Sequence, residues 1–300
     1  MTGTTGPIGF AGIGRMGAPM VNCLARAGHK VLAFDPDRKA LAQVADIKGV
    51  SMASDLRSLG AACAIVITML PTGAIVREAV LATGGIAEGM KKGATLIDMS
   101  SSEPVGTREL GAELEKRGIT LIDAPVSGGV GKAKDGTLAI MAGGDSAAID
   151  RVEGVLSAMG KVFRAGPLGA GHAIKALNNY VSSAGLAATC EAVLIARAFG
   201  LDAEVMTDII NASTGWNNTT QNKLKRFILS EAFDAGFALN LMDKDVGMAR
   251  DLAHSLGIEA PTLKQVSALL HAASQKLGPP ADHTELFRYL ENINSGKGKG

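Results

Sequence analysis

The amino-acid sequence predicts an α/β protein: a doubly wound sheet domain, followed by an all-helical C-terminal domain that a long helix joins to it. Short apolar runs alternate with amphipathic segments in the first half of the chain. In the second half these runs stop and helical periodicity replaces them. The length of 300 residues suits two domains of about 100–200 residues each. We therefore expect one domain over residues 1–167 and another over residues 168–300.

The predicted strands are short, nearly continuous apolar runs, which are typical of strands buried on both faces of a parallel sheet. They are Pro7–Ile13, Val31–Phe34, Ala64–Met69, Ala94–Met99, Ile119–Ile122, Gly136–Gly144 and 161–165. The segments between them are long enough for crossover helices, which we expect over residues 17–28, 37–48, 72–82, 103–117 and 146–159.

The second domain is predicted to be helical because no strand-like run occurs after residue 167. Its first helix is the long one, over residues 172–199, and glycine, proline or asparagine separates those that follow. The later helices are expected at 203–212, 217–230, 239–256, 262–276 and 283–293, and the tail 295–300 is expected to be disordered.

Composition excludes several classes of function. A net charge of +1 gives no electrostatic basis for binding nucleic acid or an anionic membrane. Three scattered cysteines predict neither disulfides nor a zinc site, and the five dispersed histidines predict no metal site. No apolar run of 18 residues and no signal-like N-terminus is found, so a cytoplasmic protein is expected.

A glycine motif of the form G-x-G-x-x-G follows the first predicted strand and opens the first predicted helix. Asp35 ends the next strand-like run, which is the context expected for a Rossmann-type dinucleotide-binding domain. Gly12 would allow the tight turn, Gly14 the approach of the pyrophosphate, and Gly17 close packing of helix and strand. The predicted cofactor-binding residues of this loop are Gly12, Ile13, Gly14, Arg15, Met16 and Gly17.

Asp35 favours NAD over NADP as the cofactor. A carboxylate there can accept hydrogen bonds from the ribose hydroxyls and would repel a 2′-phosphate. Arg38 is the opposing observation, because an arginine three residues later could lie over a 2′-phosphate. NAD is therefore the predicted cofactor, with NADP as the alternative.

Six short motifs occur in an order that resembles the β-hydroxyacid dehydrogenase family. The resemblance covers nearly the whole chain, and the ordered set is far more specific than any one motif. The motifs are GFAGIGRMG at 9–17, MLP at 69–71, DMSSSEP at 98–104, DAPVSGG at 123–129 with GTLAIMAGG at 136–144, GHAIKALNN at 171–179 and MDKDVGMA at 242–249.

The resemblance implies hydride transfer between NAD(H) and a small 3-hydroxy acid or its semialdehyde. Gly171, Lys175 and Asn179 are four residues apart and share one face of a helix. In the family, the lysine that matches Lys175 is the general acid/base, and the asparagine that matches Asn179 orients the substrate or the lysine. Asn178 lies off the shared face.

The resemblance also assigns residues to the two ligands. Consecutive N–H groups and a hydroxyl at Ser127, Gly128 and Gly129 would bind the substrate carboxylate. Trp216 lies in a region that lines the substrate in the family, and Phe237 could join it, although Trp216 could equally be a packing residue. Residues matched to the nicotinamide half of the cofactor are Met69, Leu70, Pro71, Ser101 and Lys244.

Several alternatives remain open at this stage. One is an NADPH-dependent reductase of glyoxylate or succinic semialdehyde, and another is a dinucleotide-binding protein without activity. The basic residues Lys223, Lys225 and Arg226 could select a second anionic group, although a solvated helix face is the simpler interpretation. A homodimer or homotetramer is expected.

Overall fold

The computed structural model describes residues 6–295, which form two compact units divided between Lys175 and Ala176. Each unit has its own hydrophobic core and is described separately below. Residues 1–5, where no targeting signal was expected, and residues 296–300 of the predicted disordered tail lie outside the described residues.

The first unit contains a nine-stranded sheet whose order is β3-β2-β1-β4-β5-β6-β8-β7, with β9 pairing β8. Strands β1 to β6 run parallel, and β8 is antiparallel to β6 and to β7. The first six strands therefore confirm the predicted doubly wound sheet. The strands are β1 (Ile8–Ala11), β2 (Val31–Phe34), β3 (Val50–Met52), β4 (Ile65–Thr68), β5 (Thr95–Asp98), β6 (Thr120–Asp123), β7 (Val126–Ser127), β8 (Leu138–Gly143) and β9 (Gly160–Gly166).

Helices connect the strands of the first unit and begin at residues suited to helix starts. Asp55 and Asp145 accept hydrogen bonds from the first turns of α3 and α8, and Pro104 is the first residue of α6. The helices are α1 (Gly17–Arg26), α2 (Arg38–Ala42), α3 (Leu56–Ala62), α4 (Gly73–Leu81), α5 (Ile86–Gly89), α6 (Pro104–Glu115), α7 (Gly129–Asp135) and α8 (Ser146–Ser157).

The sheet separates two apolar clusters because side chains alternate along each strand. On β4 to β6, Ile67, Ile97 and Ile122 belong to one cluster. Val66, Leu96 and Leu121, the residues immediately before them, belong to the other. Burial on both faces explains why the strands appear in the sequence as continuous apolar runs.

The sequence-based prediction missed the short elements of this unit. Strand β3 has three residues, two of them exposed, and β7 has two residues, so neither produces an apolar run. Helices α3, α5 and α7 have at most seven residues, which is too short for a clear helical period. The missing elements do not alter the fold class.

The described part of the second unit, residues 176–295, consists of helices and connecting loops, with one isolated bridge between Ala238 and Asp282. Helix α9 (Ala170–Phe199) begins in the first unit and continues into the second. Residues Leu224–Leu229 form a π-helical turn, and His283–Glu285 form a 3-10 turn. The other helices are α10 (Ala203–Asn211), α11 (Asn218–Asn222), α12 (Leu239–Ser255), α13 (Pro261–Leu277) and α14 (Leu286–Ser295).

Helix α9 is the only helix of the described residues that is long and apolar enough to cross a membrane, judged by length and composition alone. The core helix of a globular protein meets the same criteria. Leu186, Cys190 and Val193 of this helix are fully buried in the core of the second unit, with Leu270 and Leu286 among their neighbours in that core. The apolar character of α9 is thus used, at least in part, for internal packing.

The carboxylate of Asp282 joins two chain segments of the second unit. It accepts hydrogen bonds from Gly236 N–H and Phe237 N–H, at 2.8 and 3.1 Å, and from the Thr284 hydroxyl, at 2.6 Å. Burial acts to raise the pKa of this carboxyl, but hydrogen bonds from His283 and Thr284 outweigh burial and hold the pKa well below its ordinary value of 3.8. The ionised form therefore stabilises this part of the fold.

We expect Asp282→Ala to lower the free energy of unfolding by about 3 kcal/mol near neutral pH, because the buried Thr284 hydroxyl and the N–H groups of Gly236 and Phe237 lose a charged acceptor. Since folding lowers this pKa, the contribution is fully present above the ordinary value of 3.8 and decreases as the pH falls below it. Urea unfolding at pH 7 and pH 3 measures the difference. Asp234→Ala, an exposed carboxylate near Gly236, is the control; an equal loss in both variants would contradict the prediction.

Candidate active site

The glycine motif forms a tight loop between β1 and α1. Gly12 has a φ of +100°, and a Cβ atom there would collide with the carbonyl oxygen of Met69. A Cβ atom on Gly17 would collide with the Gly12 carbonyl oxygen, whereas Gly14 is exposed and no atom lies within 4 Å of the Cβ position there. Gly12 and Gly17 are therefore required by the fold, and Gly14 leaves open space beside the start of α1.

Asp35 follows β2 and reaches back to the glycine loop. Its Oδ2 accepts the N–H of Ile13 at 2.7 Å, and its Oδ1 accepts the N–H of Asp37 at 2.8 Å. Each carboxylate oxygen can accept a further bond, so the side chain remains available to ribose hydroxyls. Arg38, the first residue of α2, is exposed. The glycine cradle and this carboxylate fit a dinucleotide.

The segments after β4 and β5 lie next to the glycine loop and to each other. Met69 N–H donates to the carbonyl of Ala11 at 2.9 Å, and Leu70 N–H donates to the Ser100 hydroxyl at 2.9 Å. Pro71 is exposed, and Ser101 is half-buried. The structure thus places the predicted nicotinamide residues of this unit at the carboxyl ends of neighbouring parallel strands, where α/β sheets bind ligands.

The start of α9 is fixed by the carboxylate of Asp123, the last residue of β6. Asp123 Oδ1 accepts Gly169 N–H at 2.7 Å, and Oδ2 accepts His172 N–H at 2.8 Å. A Cβ atom on Gly171 would collide with the carbonyl oxygen of Met141, so this position requires glycine. Lys175 lies one turn further along and is only 9% exposed, unlike an ordinary solvated helix lysine.

Burial raises the pKa of the Asp123 carboxyl above its ordinary value of 3.8. The His172 ring and the two N–H groups at the start of α9 oppose this effect. The carboxyl is completely buried, so its hydrogen bonds to the helix are shielded from water. This shielding strengthens the attachment of α9 to β6.

The predicted carboxylate-binding segment lies in the turn from β7 to α7. Ser127 is half-buried, and Gly128 and Gly129 are exposed with φ values of +134° and +67°. These conformations favour glycine and allow successive backbone N–H groups to face outward together. The turn is therefore compatible with anion binding.

In the second unit, Asn179, Lys244 and Asp245 form a cluster. Asn179 Nδ2 donates to Asp245 Oδ2 at 2.6 Å, and Lys244 Nζ lies 3.6 Å from Asp245 Oδ1. Asn179 and Asp245 are buried, Lys244 is half-buried, and Asn178 is exposed. The cluster fixes the Asn179 amide and brings two of the predicted site residues together.

Trp216 and Phe237 lie in different surroundings within the second unit. Trp216 is 58% exposed, which argues against its being a core packing residue of this unit. Phe237 is half-buried and makes an edge-on ring contact with His283, at 5.8 Å between centroids. The Asp282 turn described above holds the backbone of Phe237.

The three basic residues 223, 225 and 226 lie in different surroundings. Burial lowers the pKa of Lys223, with Asp282 and Cys190 opposing the shift. Lys225 pairs with Asp208 at 2.6 Å, and Arg226 lies 4.9 Å from the ring of Phe227. A common anion-selecting role for the three residues stays a prediction, and their separate contacts give it no support. Among residues 6–295, no group of three His, Cys, Asp or Glu side chains could hold a metal ion.

Two family descriptions match this chain. Residues 7–169 match the NAD binding domain of 6-phosphogluconate dehydrogenase, which covers more than half of the chain. Residues 169–290 match the NAD-binding family of NADP-dependent 3-hydroxyisobutyrate dehydrogenase. The fold and the glycine loop thus define a dehydrogenase that uses a nicotinamide dinucleotide.

Individual proteins agree with this class. The chain is 36% identical to 2-(hydroxymethyl)glutarate dehydrogenase of Eubacterium barkeri, over 85% of this chain and 84% of that one. It is 32% identical to 3-sulfolactaldehyde reductase of Escherichia coli, over 85% of each chain. The solved structure of Mycobacterium tuberculosis 3-hydroxyisobutyrate dehydrogenase with L-serine superimposes with a TM-score of 0.89 at 33% identity, covering 96% of this chain and 99% of that one.

The chain belongs to the β-hydroxyacid dehydrogenase family. It is an NAD(P)-dependent 3-hydroxyacid dehydrogenase that acts on CH–OH donors. The alternative of a dinucleotide-binding protein without activity is therefore wrong.

The sequence-based prediction missed the role of three buried residues. Asp245 lies inside a quoted motif, next to Lys244, and its own role was not recognised. Asp98 and Asp123 end two neighbouring strands with the same sequence, Thr-Leu-Ile-Asp, and the sheet register pairs them. This repeated tetrapeptide was the available signal for a pair of adjacent carboxylates.

Gly17→Ala and Gly14→Ala should separate folding from cofactor binding. The Gly17 substitution forces α1 away from the loop and should lower the free energy of unfolding by about 1–3 kcal/mol. The Gly14 substitution meets no protein atom, so stability should change by less than about 0.5 kcal/mol, while NADH affinity falls about tenfold or more. Thermal unfolding and NADH fluorescence titration measure the two effects; unchanged NADH affinity in the Gly14 variant would refute this assignment.

Proposed function

We propose that this chain transfers hydride between NAD(H) and a small 3-hydroxy acid or its semialdehyde, with Lys175 as the general acid/base. The observation that carries the proposal is the burial of Lys175 near the start of a helix that is anchored to the carboxyl end of the sheet. A buried lysine one turn from such an anchor is held in a limited set of orientations, as an acid/base must be.

The bound dinucleotide would supply the hydride chemistry. The cradle described above fits it, and the residues proposed to hold it are Gly12, Ile13, Gly14, Arg15, Met16, Gly17, Asp35, Met69, Leu70, Pro71, Ser101 and Lys244. Those of these residues that belong to the first unit all follow the carboxyl ends of strands β1, β2, β4 and β5.

The substrate carboxylate is proposed to bind at Ser127, Gly128 and Gly129, through the hydroxyl and backbone N–H groups. Trp216 and Phe237 are proposed to contact the rest of the substrate. Lys175 would give its proton to the carbonyl oxygen during reduction and take the hydroxyl proton during oxidation.

Asn179 is proposed to orient the substrate or the lysine. Its Nδ2 donates a hydrogen bond to Asp245 Oδ2, and this bond holds the orientation of the amide group. The direction of Oδ1 follows from that orientation. A fixed amide can favour one geometry of a reacting group without losing side-chain entropy during the reaction. The exposed neighbour Asn178 donates from its Nδ2 to Asn179 Oδ1 at 3.2 Å, so both ends of the Asn179 amide are hydrogen-bonded.

Three further assignments are proposals of the same kind. The first is the division into a dinucleotide-binding domain, 1–167, and a domain for substrate binding and oligomerisation, 168–300. The second is a homodimer or homotetramer, which a monomeric mass in light scattering would refute. The third is a cytoplasmic location, which is supported by the three free, buried cysteines. Burial raises the pKa of the Cys63 thiol to about 11 and that of the Cys190 thiol to about 12.

A reductive role is the second candidate function, as an NADPH-dependent glyoxylate or succinic semialdehyde reductase. The resemblance to a 3-sulfolactaldehyde reductase favours considering this direction. A screen that follows NADH and NADPH at 340 nm, against C3–C5 hydroxy acids and semialdehydes with phosphonate and sulfonate analogues, separates the two. Turnover restricted to aldehyde reduction with NADPH would favour the second candidate.

Lys175→Ala should lower kcat by about 10²–10⁴-fold, because proton transfer to or from the substrate oxygen loses its acid/base. NADH affinity should remain within about threefold, since the glycine loop is unchanged. Steady-state kinetics and fluorescence titration test this, with Lys264→Ala on the exposed face of α13 as the matched control. Turnover by the Lys175→Ala variant equal to that of the Lys264→Ala control would contradict the assignment of Lys175 as the acid/base.

The cofactor preference depends on Asp35. The unmodified enzyme should have a higher kcat/KM with NAD than with NADP, because the carboxylate would repel a 2′-phosphate. Asp35→Ser should reduce this ratio by about tenfold or more, while Asp46→Ser, which removes an exposed carboxylate of the same unit, should not change it. A preference for NADP in the unmodified enzyme would contradict the prediction.

A further inference from the structure

The first unit buries two carboxylates and one imidazole that the proposed chemistry does not use. They are Asp98, Asp123 and His172, each at most 2% exposed. Ring atoms of His172 lie between the carboxylates, with Nε2 3.7 Å from Asp98 Oδ2 and Nδ1 3.8 Å from Asp123 Oδ2. Burying ionisable groups is costly unless they are paired and hydrogen-bonded, so this cluster requires an explanation.

The pairing of strands β5 and β6 makes the carboxylates of Asp98 and Asp123 neighbours. Asp98 and Asp123 are direct register partners at the ends of the parallel strands β5 and β6. Two buried carboxylates in this position repel each other if both are ionised. The imidazole of His172 has one ring nitrogen near each carboxylate.

Asp98 is attached to the strand ends around it. Its Oδ1 accepts the Thr68 hydroxyl at 2.9 Å and Ser100 N–H at 3.0 Å, and its Oδ2 accepts the Ser102 hydroxyl at 2.7 Å. The residues on either side of Ser101, a proposed cofactor contact, are therefore both held by one carboxylate. Asp98 fixes the shape of that loop.

The ring of His172 extends this network to α9. Nε2 lies 3.1 Å from the carbonyl oxygen of Ser100, which can only accept, so Nε2 is assigned the proton. Nδ1 lies 2.8 Å from the hydroxyl of Thr107 on α6. One side chain of α9 thus contacts both the loop after β5 and the next helix.

The backbone around His172 is held equally firmly. Asp123 accepts the N–H groups of Gly169 and His172, and the lack of a side chain on Gly171 permits contact with the carbonyl of Met141. A helix whose cap and third side chain are both fixed cannot rotate about its axis in its first turn. Lys175 is three residues after His172, so its Cα position follows from these contacts.

We propose that His172 is a positioning residue for the reaction, which, between Asp98 and Asp123, fixes the first turn of α9 and thereby the place of Lys175. The proposal rests on the proposed function of Lys175. It differs from a purely structural role, because loss of His172 should impair the chemical step more than it impairs ligand binding.

The test compares His172→Ala and His172→Gln with Val80→Ala. Val80 is completely buried on α4 and outside the proposed machinery, so its variant controls for a general loss of stability. Steady-state kinetics use 3-hydroxyisobutyrate with NAD, or the compound of the screen that is turned over fastest. NADH fluorescence gives cofactor affinity, and amide hydrogen exchange of segment 169–175 without ligand reports the order of the helix start.

His172→Ala should lower kcat by about 10- to 100-fold, since a displacement of about 1 Å can cost 100-fold in rate. KM and the Kd of NADH should change less than about threefold. Exchange at 169–175 should accelerate relative to the unmodified protein. His172→Gln should recover part of kcat, because an amide can still donate to the Ser100 carbonyl.

Three results would overturn the proposal: kcat unchanged in His172→Ala, an equal fall of kcat in Val80→Ala at matched stability, or unchanged exchange at 169–175. Failure of the proposed function gives a different result, namely turnover in Lys175→Ala. An inactive Lys175→Ala beside a fully active His172→Ala would refute the positioning role and leave the proposed function intact.

Discussion

The hydrogen bonds from the start of α9 to the carboxylate of Asp123 are the interaction on which most of the candidate site in the first unit depends. A helix normally receives its N-terminal cap from a residue next to it in the sequence. Here the acceptor lies 46 and 49 residues earlier, at the end of β6. The helix that carries Lys175 is therefore located by the sheet, because its own sequence supplies glycines at this point and no side-chain cap.

Glycine has two separate functions in this unit. At Gly12, Gly17 and Gly171 the absent side chain lets backbone groups lie against one another, and a Cβ atom would collide with a carbonyl oxygen. At Gly14 the absent side chain leaves space that no protein atom fills. The first three glycines therefore determine where the main chain goes, whereas Gly14 determines what can approach it.

The sequence was sufficient to predict the parallel strands, the longer helices and the glycine loop, because each has a local pattern of apolar residues or glycines. It was not sufficient for β3 and β7, which are too short to have a period. Nor could spacing alone show that Asp98 and Asp123 meet, since that depends on β5 and β6 being neighbours. The burial of His172 between these two carboxylates likewise follows from the strand order.

The distance along the chain between Asp123 and Gly169 has a consequence for how the protein acquires its site during folding. The segment between them contains β7, α7, β8, α8 and β9, and in the folded unit β8 pairs with β6 and β9. Contacts between residues far apart in sequence form only after the intervening chain has been ordered. The first turn of α9 should thus be among the last parts of this unit to become ordered on the ribosome or during refolding. A chain that has completed most of its sheet would still lack a properly placed Lys175, so maturation of the site is delayed until the unit is nearly complete.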